Sequence, residues 1–554
     1  MKTKTYLSTL LLALVAVLVT GCVDRLNIAK HGSLGGPESY YQTDEEAEAA
    51  LASMYGSWRD LHQNWFTLLN AMSDDAWAGG GQRNDNVDLE KLNEFNYMID
   101  SGTIQSLYSQ LYTLIYKANL IIGHVTGDSP VMRQVVAEAH AARGWAHFYL
   151  VTLWGTAPMV DHLLTTDEYR QTNGTPETTW AFVESEFEAA LESGALATKS
   201  SLNDTESGIH VTAEAVKAFL GKAYLFQGKY QEAAAILDEV IASGKYDLYR
   251  ASDYGMLGHA STNNCCEAIF ELNRVNNAEQ AWNQFSQLFI NIGWRSSILS
   301  YTAGSEAGNF IATGSYGMLN PQGGLYDAFV EMEGEDGYRL NQTIRTYEQL
   351  NSIGVVNIGG NPLVGNEGYF FWKTRLLKED CIMDNPGLQM LQYNNLRIMR
   401  YAEVLLMAAE AHIQGGVDAS KALDYVNQVR DRAQLAPLSA VTMDDVKKEK
   451  RLELCMESCR FQDLVRWGDA EAVLGQQGKQ IPSFSWQVLK VEDKDAPDFG
   501  QVIYDENGLA TITGHSLSYP YSNTDYGFKA KHNLLPIPLR EMDVNPNMEQ
   551  NPGW

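Results

Sequence analysis

The residues best suited to chemistry in this chain are aromatic. Trp77 stands in a Gly-rich loop, Ala76 to Gly81, with Arg83 and Asn84 close behind. Farther along, Trp282, Trp294, Tyr301, Tyr316 and Tyr338 are scattered among Gly, Asn and Ser. Large rings in polar, flexible surroundings can stack on the apolar CH face of a sugar, while Arg, Asn and Asp bind its hydroxyls. The same rings could instead build the small core that an irregular segment needs. Exposure decides between the two.

Other chemistry finds little support. The chain has no Walker loop, no H-E-x-x-H, no G-x-S-x-G elbow and no dinucleotide fingerprint. Its 69 acidic residues make close carboxylate pairs inevitable, so a glycosidase pair cannot be read from sequence. Asp85, Asn86, Asp88 and Glu90 have a calcium-like composition but lack the glycine and spacing of an EF-hand, and a solvated acidic loop is expected. Of six cysteines, Cys265 and Cys266 are adjacent, a strained arrangement for a disulfide. Cys455 and Cys459 share a helix face with no histidine nearby for zinc, so buried free thiols are expected. His140 and His147, seven apart on one helix, are expected to pack rather than ligate. No metal or cofactor is implied. The net charge of −28 argues against nucleic acid, whose backbone needs a positive face.

The sixth cysteine does carry a chemical expectation. Lys2 and Lys4 precede an apolar stretch, Leu7 to Val19, too short to span a bilayer as a stable helix. It ends in Val19-Thr20-Gly21-Cys22, which resembles the bacterial lipobox. That resemblance implies removal of residues 1–21 and acylation of Cys22. Several acyl chains would anchor the protein without a transmembrane helix.

The elements that must hold these groups read as helices. Val211 to Gly244 has the spacing of a tetratricopeptide (TPR) helix pair: Thr212 as a helix start, Gly221 and Ala233 for close approach, a turn at Gly228, and Leu220, Tyr224 and Leu237 as filling. Such a pair needs neighbours to stack on. Helical patterns also open at Thr43-Asp44-Glu45-Glu46 and cover Ile104 to Val125, Val131 to Trp154, and Thr178 to Leu196. Residues 245–395 lose that periodicity and predict short helices and loops decorating the scaffold. Leu396 to Gly468 returns to a helical pattern, and 469–554 is loop-rich. Arg460, Asp463 and Arg466 fall at i, i+3 and i+6, where they can pair along one helix face, with Leu464 and Trp467 behind them.

Several stretches resemble the SusD/RagB family of outer-membrane nutrient-binding lipoproteins. They are Ala137-Glu138-Ala139 with Arg143 to Pro158; Arg400 to Leu406 with Ala409-Glu410-Ala411; and Ala422 to Ala433. Arg451 to Leu454 with ESCRFQDLVRWG from Glu457, and Leu535-Pro536-Ile537-Pro538 with the ending NPNMEQNPGW, complete the set. Lys450 and Cys459 depart from the family pattern outside the regions where it recognises ligand.

The resemblance implies a mainly α fold: a TPR-like helical-pair scaffold with a long irregular insertion. The organisation it implies is a signal peptide over 1–21 and one domain over 22–554. Helical pairs fill about 43–244 and 396–468, with the ligand-side insertion at about 245–395. It further implies a non-catalytic, lipid-anchored glycan-binding protein of the outer membrane, facing the exterior. Captured oligosaccharide would pass to a SusC-like TonB-dependent β-barrel transporter. The family's site is built from the loop after the first helices and from the insertion, which marks Trp77 and Trp294, with Arg83, Asn84, Trp282, Tyr301 and Tyr316 beside them. A binding protein for peptide or glycoprotein-derived ligands is the alternative. A glycosidase would need two acids in a cleft, and a TPR adaptor an open groove, which residues 245–395 are long enough to fill.

Overall fold

The computed structural model describes residues 40–250, 254–279, 285–383 and 389–554. Cys22 and Trp282 lie outside the described residues, as do the lipobox and the tether that follows it.

The scaffold begins with α1 (Asp44–Ala71). Thr43 caps it in a reciprocal capping box with Glu46, and three acids in the first turn favour its positive end. Then come α2 (Val87–Asn93), α3 (Gly102–His124), α4 (Pro130–Leu153), α5 (Pro176–Glu192), α6 (Ala213–Phe226) and α7 (Tyr230–Ala242). Consecutive long helices pack on one another, so each hairpin finds the neighbours it requires. The α6–α7 pair shows why. Thr212 accepts the Ala215 backbone N–H at 3.1 Å, and Gly228 turns the chain at φ +73°. A Cβ on Gly221 would lie 2.6 Å from Leu237, so only glycine permits this approach.

After the insertion the array resumes with α8 (Tyr401–Gln414), which packs on α7 and on α9 (Ala419–Arg432), followed by α10 (Met443–Leu454) and α11 (Arg460–Trp467). Two boundaries differ from the sequence expectation. Leu396–Arg400 is a strand, paired antiparallel with Ala268–Leu272 of the insertion. Between α10 and α11 the helix breaks, with Met456 and Ser458 at positive φ. The insertion contains short helices, as expected, and also small two-stranded sheets. The C-terminal stretch contains a long hairpin that the loop-rich reading did not anticipate.

A buried charged seam joins the insertion to the C-terminal helices. Arg400 reaches Glu267 at 2.5 Å and Glu453 and Glu457 at 2.6 Å; Arg432 reaches Glu267 at 2.9 Å and also pairs with Glu453. Arg339 reaches Glu333 and Glu449 at 2.7 Å and Glu453 at 3.1 Å. Charges removed from water persist only when paired and hydrogen-bonded, and here each acid meets at least one guanidinium. The surrounding arginines hold Glu453 well below the usual carboxylate range against the opposing effect of burial.

The cluster on α11 differs in part from expectation. Arg466 pairs with Asp463 at 2.8 Å and also with Glu410. Arg460 instead reaches Asp74, 2.8 Å away, while Arg451 grips Asp75 at 2.9 Å. These two arginines fix the end of the loop that leads to Trp77. Leu464 is buried, and Trp467 is half-buried, its indole N–H donating to Glu410. His140 contacts Glu186, and His147 bonds backbone atoms of Arg143 and Val160. Cys381, Cys455 and Cys459 are buried free thiols; Cys265 and Cys266 are free but only half-buried.

Candidate functional site

The loop after α1 and the insertion meet on one face. Strand β1 (Ala76–Ala78) pairs antiparallel with β2 (Leu319–Pro321), placing Trp77 opposite Asn320. The chains approach so closely that a Cβ on Gly79 would meet Asn320 Nδ2 at 2.4 Å. Trp77 is largely covered, and its indole N–H donates to Glu367 Oε2 at 2.9 Å. The same oxygen accepts the Gly323 backbone N–H, and Glu367 Oε1 accepts the Tyr519 hydroxyl at 3.1 Å. Glu367 therefore ties β1, a helix start and the C-terminal hairpin to one carboxylate.

That hairpin consists of β3 (Gln480–Val488) and β4 (Ile512–Ser522), with Leu363–Val364 as the third strand of its sheet. β3 is buried, whereas β4 is an exposed edge. Ile481 faces Tyr521 and Ser483 faces Ser518, so two steps on β3 match three on β4. This bulge holds Pro520, where an edge strand tolerates a residue without an N–H. It presents Tyr519 at 46% and Tyr521 at 36% exposure.

Arg83 braces this edge from below. It pairs with Glu94 at 2.6 Å and Glu90 at 3.0 Å, and its guanidinium lies 5.6 Å from the Tyr521 ring centroid. Desolvation raises both glutamate pKa values, and Arg83 pulls against that rise. Asn84 is exposed, held at φ +68° with its backbone N–H on Glu90. Arg295 bridges the loop to the insertion, pairing with Asp85 at 3.0 Å and donating to the Tyr316 carbonyl at 3.0 Å. Tyr316 is 41% exposed beside it.

The expected solvated acidic loop is therefore corrected. Asp85 accepts the Gly81 N–H and pairs with Arg295, Asn86 caps α2, Asp88 accepts from Thr103, and Glu90 binds Arg83. These side chains are spent on internal bonds. Among the described residues no three His, Cys, Asp or Glu groups converge as metal ligands, and no helix is long and apolar enough to cross a membrane.

The sequence candidates divide. Arg83, Asn84 and Tyr316 come together around the loop, with Trp77 beneath. Trp294 and Tyr301 belong to a second core shared by the insertion and the C-terminal hairpin, where Phe484 and Trp486 also lie. Trp294 is 3% exposed, stacked on Trp372 at 6.0 Å, and its N–H donates to the Phe371 carbonyl. Tyr301 packs edge-on against it, and its buried hydroxyl is pushed well above its usual pKa by desolvation. For these two rings the small-core reading describes their surroundings. Sequence reasoning missed Tyr519, Tyr521, Glu367 and Arg295. The alternation Ser516-Leu517-Ser518-Tyr519 carried a period-two signal that could have exposed the strand.

Comparison with known proteins fits this architecture. A model described as the SusD family matches residues 266–554, and one described as starch-binding, associating with outer membrane, matches 37–225. The chain belongs to the SusD family. A SusD-like protein of Bacteroides ovatus is 23% identical over 98% of this chain and 97% of its own length. SusD-like protein P2 of Formosa agariphila is 25% identical, covering 94% of each chain. Among solved structures, a laminarin binding SusD-like protein superposes with a TM-score of 0.72 at 25% identity, over 92% of this chain and 99% of that one. Surface glycan-binding protein A from Bacteroides thetaiotaomicron, in complex with laminarihexaose, shares the fold with a TM-score of 0.68 at 21% identity, over 92% of this chain and all of that one. The mainly α scaffold of TPR-like pairs is thus the SusD fold.

Proposed function

We propose that this protein is a non-catalytic, surface-exposed lipoprotein that captures oligosaccharide and delivers it to a SusC-like TonB-dependent transporter. The observation that carries the reading is the open tyrosine face: Tyr316, Tyr519 and Tyr521, mounted on Arg83, Arg295 and Glu367 beside the exposed Asn84. Sugar rings present CH faces for such platforms and hydroxyls for the polar frame. The laminarin-binding relatives support a neutral glucan as the first ligand class to try. Trp77 contributes by holding Glu367 beneath the platform. Catalysis is disfavoured by the state of the carboxylate pair that Arg83 holds at this face: Glu90 and Glu94 are buried and share Arg83, so neither is presented to a substrate.

Calorimetric titration of the wild type against a glycan panel including laminarin oligosaccharides tests the reading. Saturable binding without hydrolysis supports it; binding only to peptides would move it to the alternative ligand class. Co-purification in mild detergent with a large β-barrel transporter tests the delivery step. For anchoring, Cys22→Ala should release the protein from outer membranes, because the acyl chains supply nearly all the membrane affinity. Retention after carbonate washing with an unchanged mature terminus would contradict the lipobox reading.

A further inference from the structure

A cavity of about 380 Å³ opens on the scaffold, away from the tyrosine face. Its walls come from the first half of α1, from the segment before α6 and from the end of the Ala268–Leu272 strand; Leu51, Tyr55, Gly56, Arg59, His210 and Leu272 define it. Tyr55 lies sixteen residues before the end of α1, which places the cavity about 24 Å from the loop that carries Trp77. The volume lies within the range of small-molecule sites, about 300–1,000 Å³.

The walls are fixed rather than loose. The Tyr55 hydroxyl donates to the fully buried Glu138 at 2.5 Å and accepts the Val211 backbone N–H at 2.8 Å. His210 contacts Glu138 at 3.1 Å and meets the Tyr55 ring edge-on. Leu272 is buried, and Gly56 leaves the helix surface bare: a Cβ there would meet only Arg59 Nη2, at 3.9 Å. Arg59 lines the cavity with its side chain partly exposed, and the acid paired with it, Asp60, is exposed and stands 3.8 Å away. Glu48, on the rim, is eleven residues from Arg59, about 16 Å along the helix. A partly exposed guanidinium with only a loose, exposed acid beside it, lining the same cavity as an apolar and aromatic wall, suits a planar carboxylate carried on a ring with an apolar face.

We infer that this cavity is a second ligand site, separate from the tyrosine face, for a carboxylate-bearing pyranose of the hexuronate class. The carboxylate binds Arg59, and the ring lies against Tyr55, Leu51 and Leu272. The ligand makes no covalent bond.

Ligand-observed NMR and calorimetry with D-glucuronate, D-glucose and acetate test this in the intact protein. Glucuronate is expected to bind at least about tenfold tighter than either glucose or acetate. Arg59→Gln should abolish that preference. Gly56→Leu should block binding by projecting into the cavity beside Arg59; leucine is the better helix former, so the fold is retained. Thermal melts confirm that both variants are folded, and Tyr521→Ala should leave glucuronate binding unchanged. Equal affinity for glucose that Arg59→Gln and Gly56→Leu weaken together with glucuronate overturns the role of the carboxylate, and equal affinity for acetate overturns the ring contact. Absence of saturable glucuronate binding, or binding unaffected by both variants, overturns the site. None of these outcomes bears on glucan binding at the tyrosine face.

Discussion

The charged seam and the tyrosine face are built from the same side chains to different ends. In the seam, Arg339, Arg400 and Arg432 are buried and Glu453 is shared by all three. On the face, one guanidinium, Arg83, serves two glutamates and lies beneath a tyrosine that reaches solvent. Around Glu453 three guanidiniums meet one carboxylate, the opposite of Arg83 with its two glutamates. Clustered arginines hold Glu453 and Glu457 down, whereas desolvation lifts Glu90 and Glu94. Where three guanidiniums share one buried carboxylate, as at Glu453, the cluster locks segments together. Where carboxylates outnumber the cation at an edge, the cluster positions an aromatic ring and stays close to neutralisation.

The seam should give the largest response to mutation. Removing one partner of a buried ion pair strands the others, so Arg400→Met or Glu453→Gln should cost about 3–5 kcal/mol in chemical denaturation. A loss below about 1 kcal/mol would mean the seam relaxes or admits water. The aromatic residues should divide in the same way. Trp294→Ala should cost about 3–5 kcal/mol as a core truncation, while Tyr519→Ala should leave stability within about 0.5 kcal/mol. Comparable melting shifts for both would erase the distinction between core and platform.

That distinction marks where sequence reading stopped. The α6–α7 pair was legible because Thr212, Gly221, Gly228 and Leu237 act on one another within 26 residues, through capping, close approach and a turn. The motifs around Arg400, Arg432 and Glu453 were legible as scaffold, although their partner Glu267 was not, since it comes from the insertion. Trp294 and Tyr316 look alike in sequence, each flanked by glycine or serine. Their exposure is set by distant residues: Trp372 and Phe371 cover Trp294, whereas Arg295 holds only the backbone of Tyr316. Tyr519 and Tyr521 were hidden because their strand depends on pairing with β3 across the hairpin, which leaves a weak local signal.

Acidification separates the two clusters with a smaller effect. The raised pKa values of Glu90 and Glu94 mean that they take up protons above their ordinary value of 4.5, so Arg83 loses its partners first. Glycan affinity should therefore soften as pH approaches that value from above, with the melting temperature little changed. In the seam, Glu453 and Glu457 have depressed pKa values, so their contribution is present above the ordinary value and is lost as pH falls through the folded one. Asp463, held down to about 2 with Lys450 and Arg466 opposing the effect of burial, belongs to the same class. Its contribution fades between its ordinary value of 3.8 and about 2. Melting curves across that range should show the decline, and loss of stability before loss of affinity would contradict the ordering.

The most direct test is calorimetric titration of the Tyr519→Ala and Tyr521→Ala variants with whichever glycan binds the wild type, alongside Trp294→Ala. Aromatic stacking contributes about 0.5–1.5 kcal/mol per contact, so each tyrosine variant should bind roughly two- to tenfold more weakly at unchanged melting temperature. Folded tyrosine variants with wild-type affinity would place glycan recognition elsewhere and contradict the account.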